Sequence, residues 1–294
     1  ARLTIDYVTE RRNNVADFEP EGSTFVARGV PILEAGKYII TAWYQGVPYW
    51  WSKQGRDLAP GATTLHVFDT TSALDNVVMT GMNLVIRRQE SLLRLEYMLQ
   101  VTNNTSPQTT IMDRPGTFEL ALPRAARDIK AVYTRGPDPT EIPLGSPGRG
   151  MTLEVPLTPG ANQIRIEAVV PWTESMNLPV GSNLPLEAWS VLAAPEWLEV
   201  HSPDIQENDS QKVSGFRRFV GFPLEANEAI DLRLNSGEQA AGETEDLFTG
   251  EAPAEQETAA AENPAEQGGG MTLPLILVGV LIIVVIIAAA RRRS

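Results

Sequence analysis

Short runs in which apolar and polar residues alternate recur along most of the chain. Between Leu93 and Val101 the odd-numbered positions are apolar, and Arg94 and Glu96 are among the residues between them. The same alternation appears in residues 118–122, 151–155, 163–168 and 230–234. A period of two is typical of a strand with one buried face and one solvated face. These runs therefore predict a chain built mainly from β-strands.

Turn signals rich in proline and glycine separate the alternating runs, at residues 114–116, 136–139, 146–148 and 158–160. Many short strands punctuated in this way predict tandem antiparallel β-sandwich domains. We expect a first sandwich over residues 1–71, a second over residues 72–171, and a smaller third β region over residues 172–234. Residues 173–184 are rich in Pro, Gly and Asn. This segment is therefore interpreted either as part of the third β region or as a long loop that lies over one sandwich.

The first predicted sandwich is centred on a hairpin rich in aromatic residues. Gly36–Tyr44 is β-branched and aromatic, Gln45-Gly46 supplies a turn, and the chain returns through Val47–Trp51. A first strand is predicted before it, at Arg2–Tyr7. The hairpin carries four candidate partner-binding residues, which are Trp43, Tyr49, Trp50 and Trp51. Alternation puts Tyr49 and Trp51 on one face and Trp50 on the other. Two interpretations follow. Either one face of the hairpin belongs to the core and the other packs against the next β domain, or the exposed rings form a patch that binds a protein partner or a sugar.

The same region resembles a known family of modules. Val30-Pro31-Ile32-Leu33 leads through Glu34-Ala35-Gly36-Lys37-Tyr38 into Ile39–Tyr44 and Gly46-Val47. This pattern resembles the carboxypeptidase-regulatory-like, transthyretin-like β-sandwich modules of exported bacterial proteins, over about the first 70 residues. The resemblance implies a β-sandwich that serves as a spacer or interaction domain, and it implies no catalytic residue.

Beyond the predicted sandwiches the composition changes abruptly. Residues 235–270 hold nine Asp/Glu and no Lys or Arg, with Leu247 and Phe248 as an isolated apolar pair. Such a segment buries too little apolar surface to offset the entropy of ordering, so we predict a flexible acidic linker. Leu247 and Phe248 are therefore candidate partner-binding residues within that linker.

The C-terminal stretch has the composition of a membrane anchor. Residues 271–290 contain no charged side chain, and at about 1.5 Å per residue a helix of this length spans roughly the 30 Å hydrocarbon core of a bilayer. We predict a single transmembrane α-helix here, followed by a basic stub at residues 291–294. Representative anchor residues are Leu273, Leu277, Gly279, Leu281 and Val284, followed by Arg291, Arg292 and Arg293.

The three arginines also orient the predicted helix. The positive-inside rule puts the C-terminus in the cytoplasm and the bulk of the chain outside it, in the periplasm or its equivalent. Because export in this orientation requires a signal, we infer a signal peptide ahead of Ala1.

The residue composition excludes several classes of catalytic and metal-binding site. The chain has no cysteine and only two histidines, His66 and His201. Disulfides, thiolate metal sites and cysteine catalysis are therefore excluded, and no nucleophile elbow or phosphate-binding glycine loop is present. We expect both histidines to be strand-surface or satisfied residues, His66 on the β-prone run Thr64–Phe68 and His201 after Leu198–Val200. The net charge of −13 argues against nucleic acid as a partner, and we expect no cofactor.

One acidic cluster could supply oxygen ligands to calcium. It consists of Asp204, Glu207, Asn208 and Asp209, whose spacing does not match the twelve-residue calcium loop, so a solvated acidic loop is the favoured interpretation. A hydrolase that uses paired carboxylates is a further hypothesis, because such residues meet only in space.

These observations predict a non-enzymatic accessory or scaffold subunit anchored in the cytoplasmic membrane. Its β domains would dock on the outer face of a membrane protein complex, for example a respiratory or photosynthetic one, while the helix contacts the lipid bilayer. Two attachments on one chain raise the effective concentration, so a weak contact at each suffices. The alternative is a cell-envelope module that binds a glycan or a peptide through the aromatic hairpin.

Overall fold

The computed structural model of the chain is mainly β, as the alternating runs predict. It describes residues 2–19, 33–57, 65–113, 116–135, 139–145, 150–208, 210 and 213–237. By its internal contacts the chain divides after Asn235, and nearly all described residues lie in the first unit, Ala1–Asn235. Within the described residues no helix is long and apolar enough to cross a membrane. The predicted anchor and the acidic linker beyond Gly237 lie outside those residues.

The described residues form nineteen strands and one 3-10 turn, Gly55–Asp57. The strands are β1 (Arg2–Val8), β2 (Arg12–Phe18), β3 (Lys37–Tyr44), β4 (Val47–Gln54), β5 (Thr70–Thr71), β6 (Val77–Gln89), β7 (Leu92–Asn103), β8 (Thr110–Ile111), β9 (Phe118–Leu120), β10 (Arg127–Tyr133), β11 (Thr140–Glu141), β12 (Met151–Leu153), β13 (Gly160–Pro171), β14 (Ser175–Gly181), β15 (Trp189–Ala194), β16 (Leu198–His201), β17 (Ile205–Glu207), β18 (Arg217–Gly221) and β19 (Ala229–Ser236).

Five hydrogen-bonded sheets organise these strands. The largest has eight strands in the order β11-β10-β13-β7-β6-β15-β18-β17, and a three-stranded sheet has the order β14-β19-β16. The N-terminal sheet has the order β2-β1-β3-β4, and the pairs β12-β9 and β5-β8 complete the set. Most neighbours are antiparallel, but β15 runs parallel to β6 and β5 runs parallel to β8.

One large hydrophobic core joins the eight-stranded and three-stranded sheets in a sandwich-like arrangement. Leu95 and Tyr97 of β7 and Ile166 of β13 share it with Leu178 of β14 and Leu232 of β19, each at most 1% exposed. At about 25 cal/mol per Å² of apolar surface, burial on this scale is the main favourable contribution to folding. Strands from both sides of residue 172 lie in the same large sheet, so the predicted boundary between the second and third regions falls inside that sheet. A smaller cluster of Leu3, Ile5 and Tyr38 stabilises the N-terminal sheet.

The strands predicted at residues 2–7, 36–44, 47–51, 93–101, 118–122, 151–155, 163–168 and 230–234 are confirmed, with shifted ends. The loop interpretation of residues 173–184 is wrong, because β14 pairs with β19 along its whole length. Pro179 is accommodated there because β14 is a terminal strand of its sheet, where a missing N–H costs little. The strand expected around His66 is also wrong, since residues 65–68 form no strand.

Candidate binding groove

A surface groove of about 640 Å³ lies where two sheets end, at β16 and β17. It is lined by residues of β14, β16, β17, β18 and β19 and of the turn between β16 and β17. These residues are Asn177, Val200, His201, Ser202, Pro203, Ile205, Glu207, Arg217, Phe219, Asp231 and Arg233. Its volume is in the range of 300–1,000 Å³ typical of ligand-binding clefts. We call this feature the edge groove.

Apolar side chains line part of the edge groove. Val200 is 4% exposed and Phe219 is 3% exposed, and both belong to the large core. Ile205 is half-buried and packs against the same core. Because these side chains are anchored in the core, the apolar part of the groove is held in place by the fold.

An ion pair forms one part of the charged rim. Arg217 donates from Nε to Oε1 of Glu207 at 2.8 Å and from Nη2 to Oε2 at 2.7 Å, and its guanidinium lies 5.3 Å from the ring centroid of Phe219. The fork geometry of arginine matches a carboxylate in this way. The hydrogen bond from Arg217 is the main cause that lowers the pKa of Glu207 below its ordinary value. Glu207 therefore stays ionised at neutral pH, and its negative charge is compensated by the positive charge of Arg217.

The rim also carries two opposite charges, Asp231 and Arg233, that form no ion pair with each other. Asp231 and Arg233 are exposed and two residues apart on β19, so alternation places them on the same face. Arg233 is directly opposite Asn177 of β14, which is also exposed. Within the described residues, none of these three side chains has a hydrogen bond or an ion pair. They are available to an outside ligand.

The backbone of the groove walls is also incompletely paired. β16 is the terminal strand of the three-stranded sheet, and β17 is the terminal strand of the eight-stranded sheet. Each has a strand neighbour on one side only among the described residues. The outward N–H and C=O groups of a terminal strand form a template for pairing with another extended segment. The turn Ser202–Asp204 joins the two strands beside the groove.

The acidic cluster considered for calcium contributes to the groove in a different way. Glu207 is held by Arg217, and the Asn208 side chain accepts hydrogen bonds from the backbone and the hydroxyl of Ser210. Asp204 is half-buried, and Asp209 lies outside the described residues. Among the residues that the structure describes, no three His, Cys, Asp or Glu side chains are grouped to hold a metal ion.

The two histidines lie in different surroundings. His201, at the end of β16, is exposed in the edge groove, and its Nε2 lies 3.2 Å from Oε2 of Glu199. His66 is exposed between β4 and β5 and is not among the residues that line the groove.

The aromatic hairpin mostly packs against the protein itself. Tyr49 is 5% exposed, and its hydroxyl lies 3.0 Å from the Phe68 carbonyl and 2.7 Å from Oγ1 of Thr110. Trp50 packs on the large core, and Trp51 is half-buried. Trp43 remains 43% exposed, so one of the four rings presents a large free surface. Leu247 and Phe248 lie outside the described residues.

Two other tryptophans enclose a cation. The guanidinium of Arg88 lies 4.5 Å from the ring centroid of Trp197 and 5.1 Å from that of Trp172. Burial lowers the pKa of Arg88 from its ordinary value. Each cation–π contact contributes on the order of 0.5–2 kcal/mol, so these rings stabilise the end of β6.

Sequence reasoning did not select the residues of the edge groove that we now consider most important. The alternation at residues 230–234 already places Asp231 and Arg233 on a solvated face, and that signal was available. The strand β18 carries no alternation strong enough to predict it, so Arg217 could not be paired with Glu207 from sequence.

No protein-family model matches the chain and no curated protein is similar to it, so the resemblance of residues 30–47 to regulatory-like modules stays a prediction.

Proposed function

We propose that this chain is a non-enzymatic accessory subunit, anchored by residues 271–290 in the cytoplasmic membrane, whose β-sandwich domains dock on the outer face of a membrane protein complex. The observation that carries the docking role is the edge groove. It combines an apolar lining, two terminal strands, and two opposite charges, Asp231 and Arg233, that form no ion pair with any residue the structure describes. These are the features of a surface that recognises another protein.

The groove supports docking better than the aromatic hairpin does. Tyr49 is buried and Trp50 is partly buried against the large core, so much of their apolar surface already stabilises the fold. By contrast, Asp231 and Arg233 contribute no ion pair to the described part of the fold. Groups that stabilise nothing internally are free to add affinity and specificity for a partner. We therefore assign the docking contact to the edge groove.

Anchoring and docking act together in this proposal. β19 extends through Ser236, so the acidic linker begins two residues later than expected. Treated as a flexible chain, residues 237–270 have a root-mean-square span of about 29–35 Å. A partner in the same membrane is then met at a high effective concentration, and a groove of moderate affinity is sufficient.

The proposal is tested by co-purification from native membranes in mild detergent, followed by mass spectrometry. The intact chain is expected to bring down a partner complex in stoichiometric amount. The double variant Asp231→Ala/Arg233→Ala is expected to lose at least about nine-tenths of that partner, because two charge contacts of about 1 kcal/mol or more each are removed.

The matched control is Arg124→Ala/Glu141→Ala, which removes one exposed cation and one exposed anion outside the edge groove. This variant is expected to retain the partner. Recovery of the intact chain as a lone monomer would contradict the docking role, and equal losses in both double variants would contradict its assignment to the groove.

A further inference from the structure

Several cations lie together on the solvated face of the eight-stranded sheet, outside the edge groove. Arg87 of β6 is directly opposite Arg94 of β7, and Val169 of β13 separates Arg94 from Arg127 of β10 in the same cross-strand row. Lys130 lies further along β10, and none of the four cations lines the groove. We call Arg87, Arg94, Arg127 and Lys130 the basic patch.

The basic patch is suited to an anionic membrane surface. We infer that it binds the phosphate groups of anionic lipids at the surface of the bilayer that anchors the chain. This inference rests on the membrane anchoring proposed above and adds a lipid contact to it. The contact holds this face of the sheet against the membrane, while the edge groove, which is lined by other residues, stays available to the partner.

The alternation of the strands places the basic patch away from the core. Leu93 and Leu95, on either side of Arg94, are buried in the large core, as is Ile86 beside Arg87. Since successive side chains of a strand point to opposite faces, both arginines project from the other face. All four cations of the patch are exposed, so they are accessible to a ligand.

Two carboxylates on the same face are bound by another cation. Arg165 lies 2.8 Å from Glu96 and 2.8 Å from Glu167, and Arg87 lies 3.5 Å from Glu96. Lys130 is directly opposite Glu167 in the register, but Glu167 pairs with Arg165 instead. Arg165 therefore takes up the carboxylates that would otherwise neutralise the patch.

The remaining cations of the patch have no counter-charge in the described part of the fold. Within the described residues, Arg94, Arg127 and Lys130 form no ion pair. Three exposed carboxylates in the β6–β7 turn, on β10 and on β11 form no ion pair with them either: Glu90, Asp128 and Glu141. Like charges directly opposite each other on paired strands destabilise a sheet, so the facing Arg87 and Arg94 gain from an external anion.

The extent of the patch fits a charged surface better than a single small anion. β6, β7, β13 and β10 are consecutive in the sheet at about 4.8 Å between neighbours, so the row from Arg87 to Arg127 extends over about 14 Å. A bilayer presents many phosphates side by side, and the guanidinium fork binds such groups. The acidic remainder of the chain opposes this contact little, because charges beyond the Debye length of about 8 Å are screened at physiological ionic strength.

The lipid contact is measured with the full chain reconstituted in lipid nanodiscs. Since the chain has no cysteine, Ser91→Cys in the turn between β6 and β7 gives a single site for a bimane fluorophore. A nitroxide on the headgroup of a minor lipid quenches bimane at short range. Quenching is expected to be at least about threefold stronger in nanodiscs with about 30% phosphatidylglycerol than in pure phosphatidylcholine, and about 0.5 M NaCl is expected to abolish the excess.

The decisive variant is Arg94→Gln/Arg127→Gln/Lys130→Gln in the labelled chain. Each basic residue near an anionic surface strengthens binding about fivefold, so this variant is expected to weaken the contact about 100-fold and to reduce quenching to the phosphatidylcholine level. The matched control removes three exposed cations outside the patch and is expected to keep the excess quenching; it is Arg11→Gln/Lys53→Gln/Arg56→Gln.

The outcomes separate this inference from the proposed function. Equal quenching in the two lipid compositions, or equal losses in the two triple variants, would overturn the lipid contact. A patch variant that keeps its lipid-dependent quenching but loses the partner complex on co-purification would assign the patch to an acidic protein surface instead. Because the nanodiscs contain no partner, recovery of the chain as a lone monomer from native membranes would contradict the docking function and leave the lipid contact intact.

Discussion

Asn162→Ala is expected to lower the free energy of unfolding by about 3–5 kcal/mol. Asn162 is fully buried on β13, and its Oδ1 accepts hydrogen bonds from the Tyr133 hydroxyl at 2.6 Å and the Thr158 amide at 3.1 Å. Its Nδ2 donates to the carbonyls of Thr158 and Gly160 at 2.9 and 2.8 Å. Truncation leaves several buried polar groups unsatisfied, each at a cost of about 1–3 kcal/mol.

Urea unfolding of the full chain in detergent, followed by tryptophan fluorescence, measures this loss. The control is Asn104→Ala, since Asn104 is exposed and its side chain makes no hydrogen bond within the described residues. That substitution is expected to change the free energy of unfolding by less than about 0.5 kcal/mol. A loss below about 1 kcal/mol for Asn162→Ala would show that this network does not stabilise the end of β13.

Gly221→Ala is expected to destabilise the protein by about 2–4 kcal/mol through overpacking. A Cβ atom at residue 221 would lie 1.8 Å from Cε2 and 2.1 Å from Cζ2 of Trp189. The indole cannot move aside at low cost, because Trp189 is 3% exposed and its Nε1 donates to the Phe222 carbonyl at 2.7 Å. Gly221 also pairs with Ile205, which lines the edge groove.

A double-mutant cycle with Trp189→Phe isolates the steric cause of this loss. A phenyl ring leaves space beside residue 221, so Gly221→Ala is expected to cost at least about 1 kcal/mol less in the Trp189→Phe background. An equal cost in both backgrounds would mean that the clash with Trp189 is not the reason for the glycine.

Sequence patterns predicted the strands in which polar and apolar residues alternate, together with the aromatic hairpin of β3 and β4, and missed several strands that are buried or interrupted. In β7 and β13 polar and apolar residues alternate over most of the strand, and both strands were predicted. In β6, Met82, Leu84 and Val85 make both faces apolar, so the period of two is lost. In β14, Pro179 and Gly181 made the segment look like a loop, although a terminal strand tolerates proline.

The candidate site was less predictable than the fold. Its residues come from strands separated by up to about 50 positions, and only the pairing of β17 with β18 brings Glu207 to Arg217. The aromatic hairpin was easy to recognise in the sequence, because aromatic residues are uncommon in the chain and concentrated there. The number of aromatic residues does not, however, predict which of them are buried. Tyr49 is held inside by Thr110, which lies 61 positions further along the chain.

Site-specific photo-crosslinking in native membranes tests the docking assignment most directly. A benzoylphenylalanine residue replaces either His201, in the edge groove, or Trp43, the exposed ring of the aromatic hairpin, in the otherwise natural full chain. The groove account predicts that irradiation links position 201 to a discrete partner protein, whereas position 43 gives no such product. A product from position 43 alone, or from neither position while the partner still co-purifies, would contradict it.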